Sequence, residues 1–435
     1  MHSQNLSNMW KYSLKFSLRS LLRDAVRGVA ARALLYPELA RNERSAAALA
    51  DYVAARCRLL GLPVPAAPNA VPVLGGDAPT MAKADVRGTP QRYLRPRGWG
   101  TLLRNKIKTS GSSGQPLTVV QDLACVVREE AFIHRHLRWM GFEPGQRRAW
   151  IRGDVVCDAH PADGRYWCHD WPGKMLMMSS YHLASATIGA YVEELRRYDP
   201  VIIHAYPSSI AAIAAWLHAA GQSYGGKALR GIMTSSETMD PDVRAQVEAV
   251  FGVKVFDWYG QAERVAAIAN CEHGSYHLLT DYSVVELLDQ GDGRAELVGT
   301  SLNNRATSLV RYRTGDLVEM GEGPCACGRV FPVVKAIGGR KERVITLPDG
   351  RQIGRLDHVF KGADQVVEGQ IVYRGQARFE LNVVAAAGFG AADEAQLVDN
   401  FLLRVPDVAV SVKRVAAIPR GANGKFEFIS LQEAA

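Results

Sequence analysis

Apolar and polar positions follow four different patterns along the chain. Between residues 11 and 60, apolar residues recur at helical spacing with arginines between them, as in LRSLLRDAVRGVAARALL, which predicts helices. From about 130 to 260, short apolar runs alternate with helical segments. From about 265 to 340, short alternating segments predict strands, and the remainder of the chain mixes strands with helix. The patterns together predict an α/β protein.

The middle region has the most regular alternation. YVEELRRY, PSSIAAIAAWLHAAG and DPDVRAQVEAVFG have helical spacing, whereas DPVIIHAY, LRGIMTSS and VKVFDWYG are typical of buried strands. This β-α-β-α-β order predicts a mainly parallel sheet covered by helices. SVVELLD, RAELVGTSL and TSLVRYRTGDLVEM then predict a small β subdomain.

Proline and glycine positions suggest where one domain ends and the next begins. LPVPAAPNAVPV, from Leu62 to Val73, predicts a non-helical connector, and GGRK, from Gly338 to Lys341, predicts a hinge. We therefore expect an N-terminal helical segment (1–70), a large core domain (71–339) and a small, mobile α+β C-terminal domain (340–435).

Composition narrows the class of protein. Of the 435 residues, 47% are hydrophobic and 22% charged, which is typical of a globular protein and excludes disorder. The net charge of +8 is spread along the chain, which favours an anionic ligand, and without a basic run or an aromatic ladder it does not indicate nucleic acid. Seven cysteines, scattered except for one pair, do not predict a disulfide framework. We expect a cytoplasmic protein.

Two segments indicate whether the protein is expected to contact a membrane. The apolar stretch VIIHAYPSSIAAIAAWLHAA, from Val201, is interrupted by proline, histidines and serines, so we expect no stable membrane insertion. The basic amphipathic pattern near the N-terminus is compatible with a helix lying on a membrane, but packing against the body of the protein is the commoner outcome and is the one expected.

One short stretch is rich in glycine and hydroxyl side chains. KTSGSSGQP, from Lys108 to Pro116, fits either a flexible linker or a loop whose backbone N–H groups surround a phosphate. It is not GxxxxGK[ST], so the nucleotide triphosphatase loop is excluded. The basic approach RNKIK and the strand-like PLTVV on either side favour a phosphate-binding hairpin.

Six motifs in order carry a resemblance to a known family. They are TSGSSGQP, TSSE (234–237), DWYGQAE (257–263), RYRTGD (311–316), GGRK (338–341) and PRGANGK (419–425). Their order and spacing resemble the adenylate-forming superfamily of acyl-CoA synthetases, luciferases and adenylation domains. PTMAKADVR (79–87), the short length and a Cys pair are similar to the phenylacetate–CoA ligase branch and its capsule-associated relatives. The resemblance covers roughly residues 70 to 430 and implies that family's fold.

The resemblance implies a two-step reaction. A carboxylate, here expected to be an aryl or arylacetic acid, attacks the α-phosphate of ATP with Mg²⁺ bound, giving acyl-AMP and pyrophosphate. The thiol of coenzyme A then displaces AMP. A carrier-protein phosphopantetheine or an amine is the alternative acceptor, and a degenerate nucleotide-binding protein is the alternative class. The sequence leaves a homodimer open.

The resemblance also implies roles for individual residues. Three are expected to act in catalysis: Lys425, Arg340 and Glu263, the last by helping to bind Mg²⁺. The residues expected to hold the β- and γ-phosphates are Thr109, Ser110, Gly111, Ser112, Ser113 and Gly114. Those expected around the adenosine are Ser235, Ser236, Glu237, Asp257, Trp258, Tyr259, Gly260, Gln261 and, at the ribose, Asp316.

The chain departs from the family pattern at two places. Many relatives have a hydroxyl residue at the position of Ala262, and the hinge has Lys341–Glu342 instead of the usual residues. RRAWIRGD (147–154) and HAYPSS (204–209) are expected to shape the acid pocket.

The Cys pair predicts a metal site. Cys325 and Cys327, with Cys271 and His277 upstream, make a set suited to a structural, tetrahedral Zn²⁺. A hairpin turning at EHGS favours His277 over His273, although the sequence leaves both open. Reduced thiols without a metal are the alternative. The remaining cysteines, Cys57, Cys125, Cys157 and Cys168, are interpreted as packing residues.

Overall fold

The structure is a computed structural model that covers most of the chain. It describes residues 2–23, 34–67, 70–75, 77, 79–96, 103–108, 117–184, 186–291, 293–338, 345–353, 356–360, 363, 365–418 and 428–432. The predicted phosphate loop (109–116), the hinge residues 339–344 with Arg340, and Lys425 lie outside the described residues.

Helices surround the sheets and account for the helical patterns of the sequence. They are α1 (His2–Arg23), α2 (Tyr36–Asn42), α3 (Ala46–Leu60), α4 (Lys83–Gly88), α5 (Pro90–Tyr93), α6 (Leu123–Trp139), α7 (Ile188–Tyr198), α8 (Pro207–Ala219), α9 (Pro241–Phe251) and α10 (Ala391–Leu402). Their ends follow from local chemistry. The Ser45 side chain accepts a hydrogen bond from the Ala48 amide at the start of α3, and Gly252 ends α9 in the left-handed conformation (φ 69°).

Strands of the larger part of the chain form one hairpin and one long sheet. They are β1 (Val73–Leu74), β2 (Arg104–Lys108), β3 (Thr118–Asp122), β4 (Arg148–Arg152), β5 (Trp167–Asp170), β6 (Met175–Ser179), β7 (Ile202–Ala205), β8 (Gly231–Ser235), β9 (Lys254–Gly260), β10 (Ala267–Asn270), β11 (Tyr276–Leu278), β12 (Ser283–Asp289), β13 (Ala295–Ser301), β14 (Tyr312–Met320) and β15 (Val333–Gly338). β2 and β3 pair with each other, and the rest form a sheet of order β1-β12-β13-β14-β15-β11-β10-β9-β8-β7-β4-β6-β5.

The long sheet has a parallel and an antiparallel part. β6, β4, β7, β8 and β9 run parallel, and their core is packed with side chains such as Ile203, Ile232 and Leu217 of α8. From β9 to β12 the pairing is antiparallel. The α/β fold class is thereby confirmed. The predicted small β subdomain is continuous with the parallel strands, because β10 pairs along the outer edge of β9.

The C-terminal part forms a second, smaller sheet. β16 (Ile345–Thr346) and β17 (Gln352–Ile353) make a hairpin, and β18 (Val366–Tyr373), β19 (Arg378–Ala385), β20 (Ala409–Arg414) and β21 (Ile429–Leu431) form a sheet of order β20-β19-β18-β21. Its buried core includes Leu381 and Phe401 and takes its members from residues 345–429. This agrees with a small α+β domain, although the boundaries expected at residues 70 and 339 stay predictions.

The N-terminal helices pack on the body of the protein, as expected. α2 and α3 contribute to a core shared with α6 and the sheet, which includes Leu49 and Phe132. α1 lies along β5, the edge strand of the long sheet. Among the described residues, no helix is both long enough and apolar enough to cross a membrane.

Candidate active site

The TSSE and DWYGQAE motifs lie side by side at the carboxyl edge of the parallel strands. TSSE begins at the end of β8 and DWYGQAE at the end of β9, and these strands pair in register, Thr234 with Asp257 and Ser235 with Trp258. In open α/β sheets, ligands bind outside this edge. The Thr234 hydroxyl donates to Asp257 at 2.8 Å. Burial raises the pKa of the Asp257 carboxyl despite that bond.

Tyr259 and Asp316 meet across the curved sheet. The Tyr259 hydroxyl donates to Asp316 Oδ2 at 2.8 Å, and Gln261 Nε2 donates to the same hydroxyl at 3.1 Å. Burial and the neighbouring Asp316 carboxylate raise the pKa of Tyr259 well above its usual range, so its hydroxyl stays protonated. β10, β11 and β15 separate β9 from β14 in the sheet. The sheet therefore curves strongly enough to bring the two motifs together.

Glu263 is buried and held by two elements. It is 6% exposed and accepts a hydrogen bond from the Tyr312 hydroxyl of β14 at 3.2 Å. Gln121 of β3 donates to the Ala262 carbonyl at 2.9 Å. The segment that carries Glu263 is thus tied to the strand that leaves the predicted phosphate loop. The β2–β3 pairing, from Arg104–Asp122 to Lys108–Thr118, agrees with the strand–loop–strand context inferred from sequence.

Two other residues predicted at the adenosine site, Trp258 and Glu237, use their side chains for packing and hydrogen bonding within the fold. The Trp258 side chain is 6% exposed and packs in the core, edge-on to Tyr282. The Glu237 carboxylate accepts from the backbone amide of Ser208 at 2.9 Å and from its hydroxyl at 3.1 Å, so it satisfies donors at the start of α8. These two side chains therefore support the strands that carry the motifs. Gly260 ends β9.

Sequence reasoning missed the part that Arg152 takes in this site. Its guanidinium, at the end of β4, donates to the hydroxyls of Ser235 and Ser236, each at 2.8 Å, and contacts His204 Nε2 at 2.9 Å. It lies over the rings of Trp150 (5.0 Å) and Tyr206 (4.8 Å). RRAWIRGD was singled out for its aromatic and small residues. An arginine at the end of a strand with alternating burial was the sequence signal that could have predicted this role.

His204 is neutral beside this arginine. Burial, and then the charge of Arg152, hold the pKa of His204 well below its usual range. A neutral imidazole can accept a hydrogen bond at Nε2, whereas a charged imidazolium cannot. The short contact with Arg152 therefore fits the neutral form, and Trp150 packs edge-on against the imidazole at 4.5 Å. Together these side chains place one positive charge among aromatic rings.

The four predicted metal ligands are brought together. The side-chain ligand atoms of Cys271, His277, Cys325 and Cys327 all lie within 4.8 Å of one another. Cys271 Sγ is 3.7 Å from Cys325 Sγ, and Cys327 Sγ is 3.4 Å from His277 Nε2. Ligand atoms around tetrahedral zinc are about 3.5–3.8 Å apart, given Zn–S and Zn–N bonds of about 2.3 and 2.0 Å. The donor set fits a closed metal site.

The hydrogen bonding and protonation of His277 suit a metal ligand. Its Nδ1 lies 3.4 Å from the Phe331 carbonyl, which suits donation there and leaves Nε2 for a metal. Burial lowers the pKa of His277 to about 4, so the ring is neutral at physiological pH. His273 is exposed and lies outside the cluster, so the geometry favours His277 of the two histidines that the sequence left open. Cys57, Cys125, Cys157 and Cys168 are buried, as expected of packing residues.

Comparisons with known proteins agree with these motifs. Residues 345–432 match the family described as CapK C-terminal domain. The chain is 22% identical to Protein CapK of Staphylococcus aureus over 245 residues, which is 56% of this chain and 53% of CapK. It is 27% identical to phenylacetate-coenzyme A ligase of Thermus thermophilus over 164 residues, 35% of this chain and 37% of that enzyme. The matched regions thus span about half or less of these relatives.

Solved structures include a 2-hydroxyisobutyryl-CoA ligase in complex with 2-HIB-AMP and CoA in the thioesterification state. It is 17% identical, with a TM-score of 0.49 over 95% of this chain and 90% of that one. The sequence matches agree with the resemblance: parts of the chain are homologous to CapK and to phenylacetate-coenzyme A ligase.

Proposed function

We propose that this protein activates a carboxylic acid with ATP to an acyl adenylate and then forms a thioester with coenzyme A. The observation that carries the proposal is the meeting of Tyr259 and Asp316 beside the buried Glu263. A binding site for adenosine needs a flat apolar contact and an acceptor for ribose hydroxyls. A ring and a carboxylate at the carboxyl edge of the sheet supply both.

The ribose contact would depend on Asp316. A carboxylate accepts hydrogen bonds only, so it suits a pair of ribose hydroxyls. The Tyr259 hydroxyl holds this carboxylate in place and keeps its own ring at the cleft. Ser235 and Ser236, on the far side of the cleft at the end of β8, would pass along the purine through their backbone.

Charge on the phosphates would be balanced by loop amides, a divalent cation and a lysine. Residues 109–116 would wrap the β- and γ-phosphates from the tip of the β2–β3 hairpin, and Glu263 would help to hold Mg²⁺, which prefers oxygen ligands. Bound Mg²⁺ supplies positive charge that offsets the repulsion between ATP and the incoming carboxylate. Lys425 would bridge the carboxylate and the α-phosphate as charge develops, and Arg340 would contact ribose or phosphate.

The acid would bind beside Arg152. Its guanidinium lies over the rings of Trp150 and Tyr206 and next to Ser235, so it would be close to the point where the reacting carboxylate meets the nucleotide. Aromatic walls suit an aryl or arylacetic acid. A fixed cation favours the carboxylate itself or a polar ring substituent.

The cluster of Cys271, His277, Cys325 and Cys327 would hold a structural Zn²⁺. With four protein ligands, such an ion has no open position for a substrate. It would join the β10–β11 turn to the segment before β15.

Pyrophosphate release tests the proposal. The purified chain is incubated with ATP, Mg²⁺ and a panel of aryl, arylacetic and aliphatic acids, with and without coenzyme A. We expect release that depends on one class of acid and rises with coenzyme A. Lys425→Ala should lower the rate on the order of 10²–10³-fold while ATP affinity is kept.

Lys413→Ala is the matched control, since Lys413 is an exposed lysine of β20 in the small C-terminal sheet and its replacement should change the rate little. Equal rates for Lys425→Ala and the unchanged protein would contradict the proposal. So would ATP binding without acid-dependent release across the panel, which would indicate a degenerate nucleotide-binding protein. Release that does not rise with coenzyme A would favour a carrier-protein or amine acceptor.

A further inference from the structure

Helix α1 is amphipathic with an unusual orientation: its small polar side chains face the protein. Ser13 Oγ accepts from the His169 amide at 3.1 Å and Ser17 Oγ from the Trp171 amide at 3.2 Å. The Ser20 hydroxyl donates to the Asp170 carboxylate. These bonds satisfy groups along the edge strand β5 and its following turn. The helix is therefore fixed to the sheet edge largely by hydroxyls.

Two aromatic side chains complete the inward face. Tyr12 and Phe16 are buried among Cys157, Cys168 and Met177. The Tyr12 hydroxyl donates to Asp158 at 2.8 Å. Between residues 10 and 22, the inward face consists of residues 12, 13, 16, 17 and 20, and Leu14, Leu18, Leu21 and Leu22 are exposed.

The leucines instead form an exposed stripe. We use the name apolar stripe for Trp10, Leu14, Leu18 and Leu21, which are 54%, 54%, 51% and 54% exposed. At 3.6 residues per turn they fall within one narrow arc of the helix. Leu22, 69% exposed, lies beyond the stripe. The ring of Trp10 lies 5.1 Å from that of Trp171, which is itself 44% exposed, so the apolar surface continues onto the body of the protein.

The charges beside the stripe are all positive. Lys11, Lys15 and Arg19 are exposed and occupy the arc next to it, and residues 1–23 contain no Asp or Glu. An exposed stripe of leucine and tryptophan flanked by cations matches a helix that lies in the interface of an anionic membrane. A protein partner would need an acidic rim to match the same cations, and a second copy of this chain would bring like charges together.

We propose that the outward face of α1 docks this protein reversibly on an anionic lipid surface, with the apolar stripe in the headgroup–acyl boundary. The three cations contact lipid phosphates and carboxylates, and Trp10 and Trp171 lie at the interface. None of the described helices crosses the bilayer in this arrangement. The inference is independent of the reaction at the carboxyl edge of the sheet.

Vesicle sedimentation of the full chain tests this. Vesicles of equal parts phosphatidylserine and phosphatidylcholine are compared with phosphatidylcholine alone, at low and high salt. We expect binding to the anionic vesicles that weakens with salt, because exposed charges are screened. Leu14→Gln with Leu18→Gln should lower the partition coefficient on the order of 10-fold or more. Lys11→Gln with Lys15→Gln should lower it and reduce the salt dependence.

Leu59→Gln with Leu431→Gln is the matched control, because these leucines are comparably exposed (56% and 45%) but lie on other elements. The control should bind like the unchanged protein, and thermal melting should show that all the variants are folded. Absence of sedimentation with anionic vesicles at low salt would overturn the proposal. An equal loss of vesicle binding in the control variant, Leu59→Gln with Leu431→Gln, would also overturn it. A dimer that is broken by the Leu14 and Leu18 substitutions, without vesicle binding, would show instead that the face joins two copies of the chain.

Discussion

At the scale of single residues, Arg152 adds most to the acid pocket expected from the sequence. The sequence motifs around it predict aromatic and small side chains, which would suit a neutral ring. The structure adds a fixed guanidinium that is bonded to both serines of TSSE. A cation held by two neutral hydroxyls and a neutral histidine keeps most of its attraction for an anion. In the proposed reaction, Arg152 would therefore link recognition of the acid to the nucleotide side of the cleft.

Replacing Arg152 tests that role. Arg152→Gln should lower kcat/KM for the acid by about 10- to 100-fold, since a charge-assisted hydrogen bond contributes about 1.5–3 kcal/mol. Arg152→Lys should recover part of the loss, because a lysine keeps the charge but not the fork. Initial rates of pyrophosphate release at varied acid concentration measure both.

The affinity for ATP should change much less than the kinetics for the acid in these variants. Arg148→Gln, at the other end of the same strand, serves as the comparison. If Arg152→Gln leaves the acid kinetics unchanged, Arg152 only braces the strands.

At the scale of elements, the Cys/His cluster fastens segments that are distant in sequence. Cys271 and His277 flank the turn between β10 and β11, and Cys325 and Cys327 lie before β15, which pairs with β11. β11 is three residues long, so its pairing alone fixes little backbone. A bound metal would hold this part of the curved sheet, and that curve brings β14 to β9.

Replacing one cysteine of the cluster tests whether it binds zinc. Cys327→Ser should lose about one equivalent of zinc and melt about 5 °C or more below the unchanged protein, because structural zinc binding contributes to folding. Metal content by mass spectrometry and thermal melting with a strong chelator are the measurements. His273→Ala, in the same turn but outside the cluster, should keep its zinc. Protein that is purified without metal and melts identically in both variants would show that the thiols are simply reduced.

At the scale of the whole molecule, the hydrophobic clusters of the described residues fall into two groups, one for each sheet. No described core residue of the long sheet comes from beyond residue 338, and the small sheet draws its core from residues 345–429. Contacts between the two parts include β17 against α8 and an exposed ion pair, His160 with Asp407, at 3.8 Å. An exposed ion pair of this kind contributes little. This arrangement suits a small domain that rotates between two half-reactions.

Truncation tests the independence of the two cores. A chain of residues 1–338 should fold cooperatively, keep its metal and bind ATP, because Tyr259, Asp316 and Glu263 are all retained. It should not release pyrophosphate, since Arg340 and Lys425 are missing. Calorimetry and ATP titration measure these outcomes, and full-length Lys425→Ala is the comparison that loses the lysine alone. Aggregation of the truncated chain would show that the small domain is needed for the fold.

Much of the architecture could be predicted from local pattern. The β-α-β order of residues 200–260, the helices between 36 and 60 and the candidate ligands Cys271, Cys325 and Cys327 all follow from periodicity and residue type. Periodicity reports which face of an element is buried, and that is a local property. The family resemblance, by contrast, placed Trp258 in the nucleotide site, whereas alternation along β9 turns its ring toward the core.

By itself, then, the sequence determined the order of the elements, the motifs at their ends and the donor types of the proposed metal site, because these depend on neighbours within a few residues. Only the tertiary structure decided that His277 rather than His273 joins the cysteines, that Arg152 reaches TSSE, and that α1 turns serines inward and leucines outward. It also decided the meeting of Tyr259 with Asp316, 57 residues apart. Sheet curvature and the packing of distant segments set those contacts, and no local pattern encodes them.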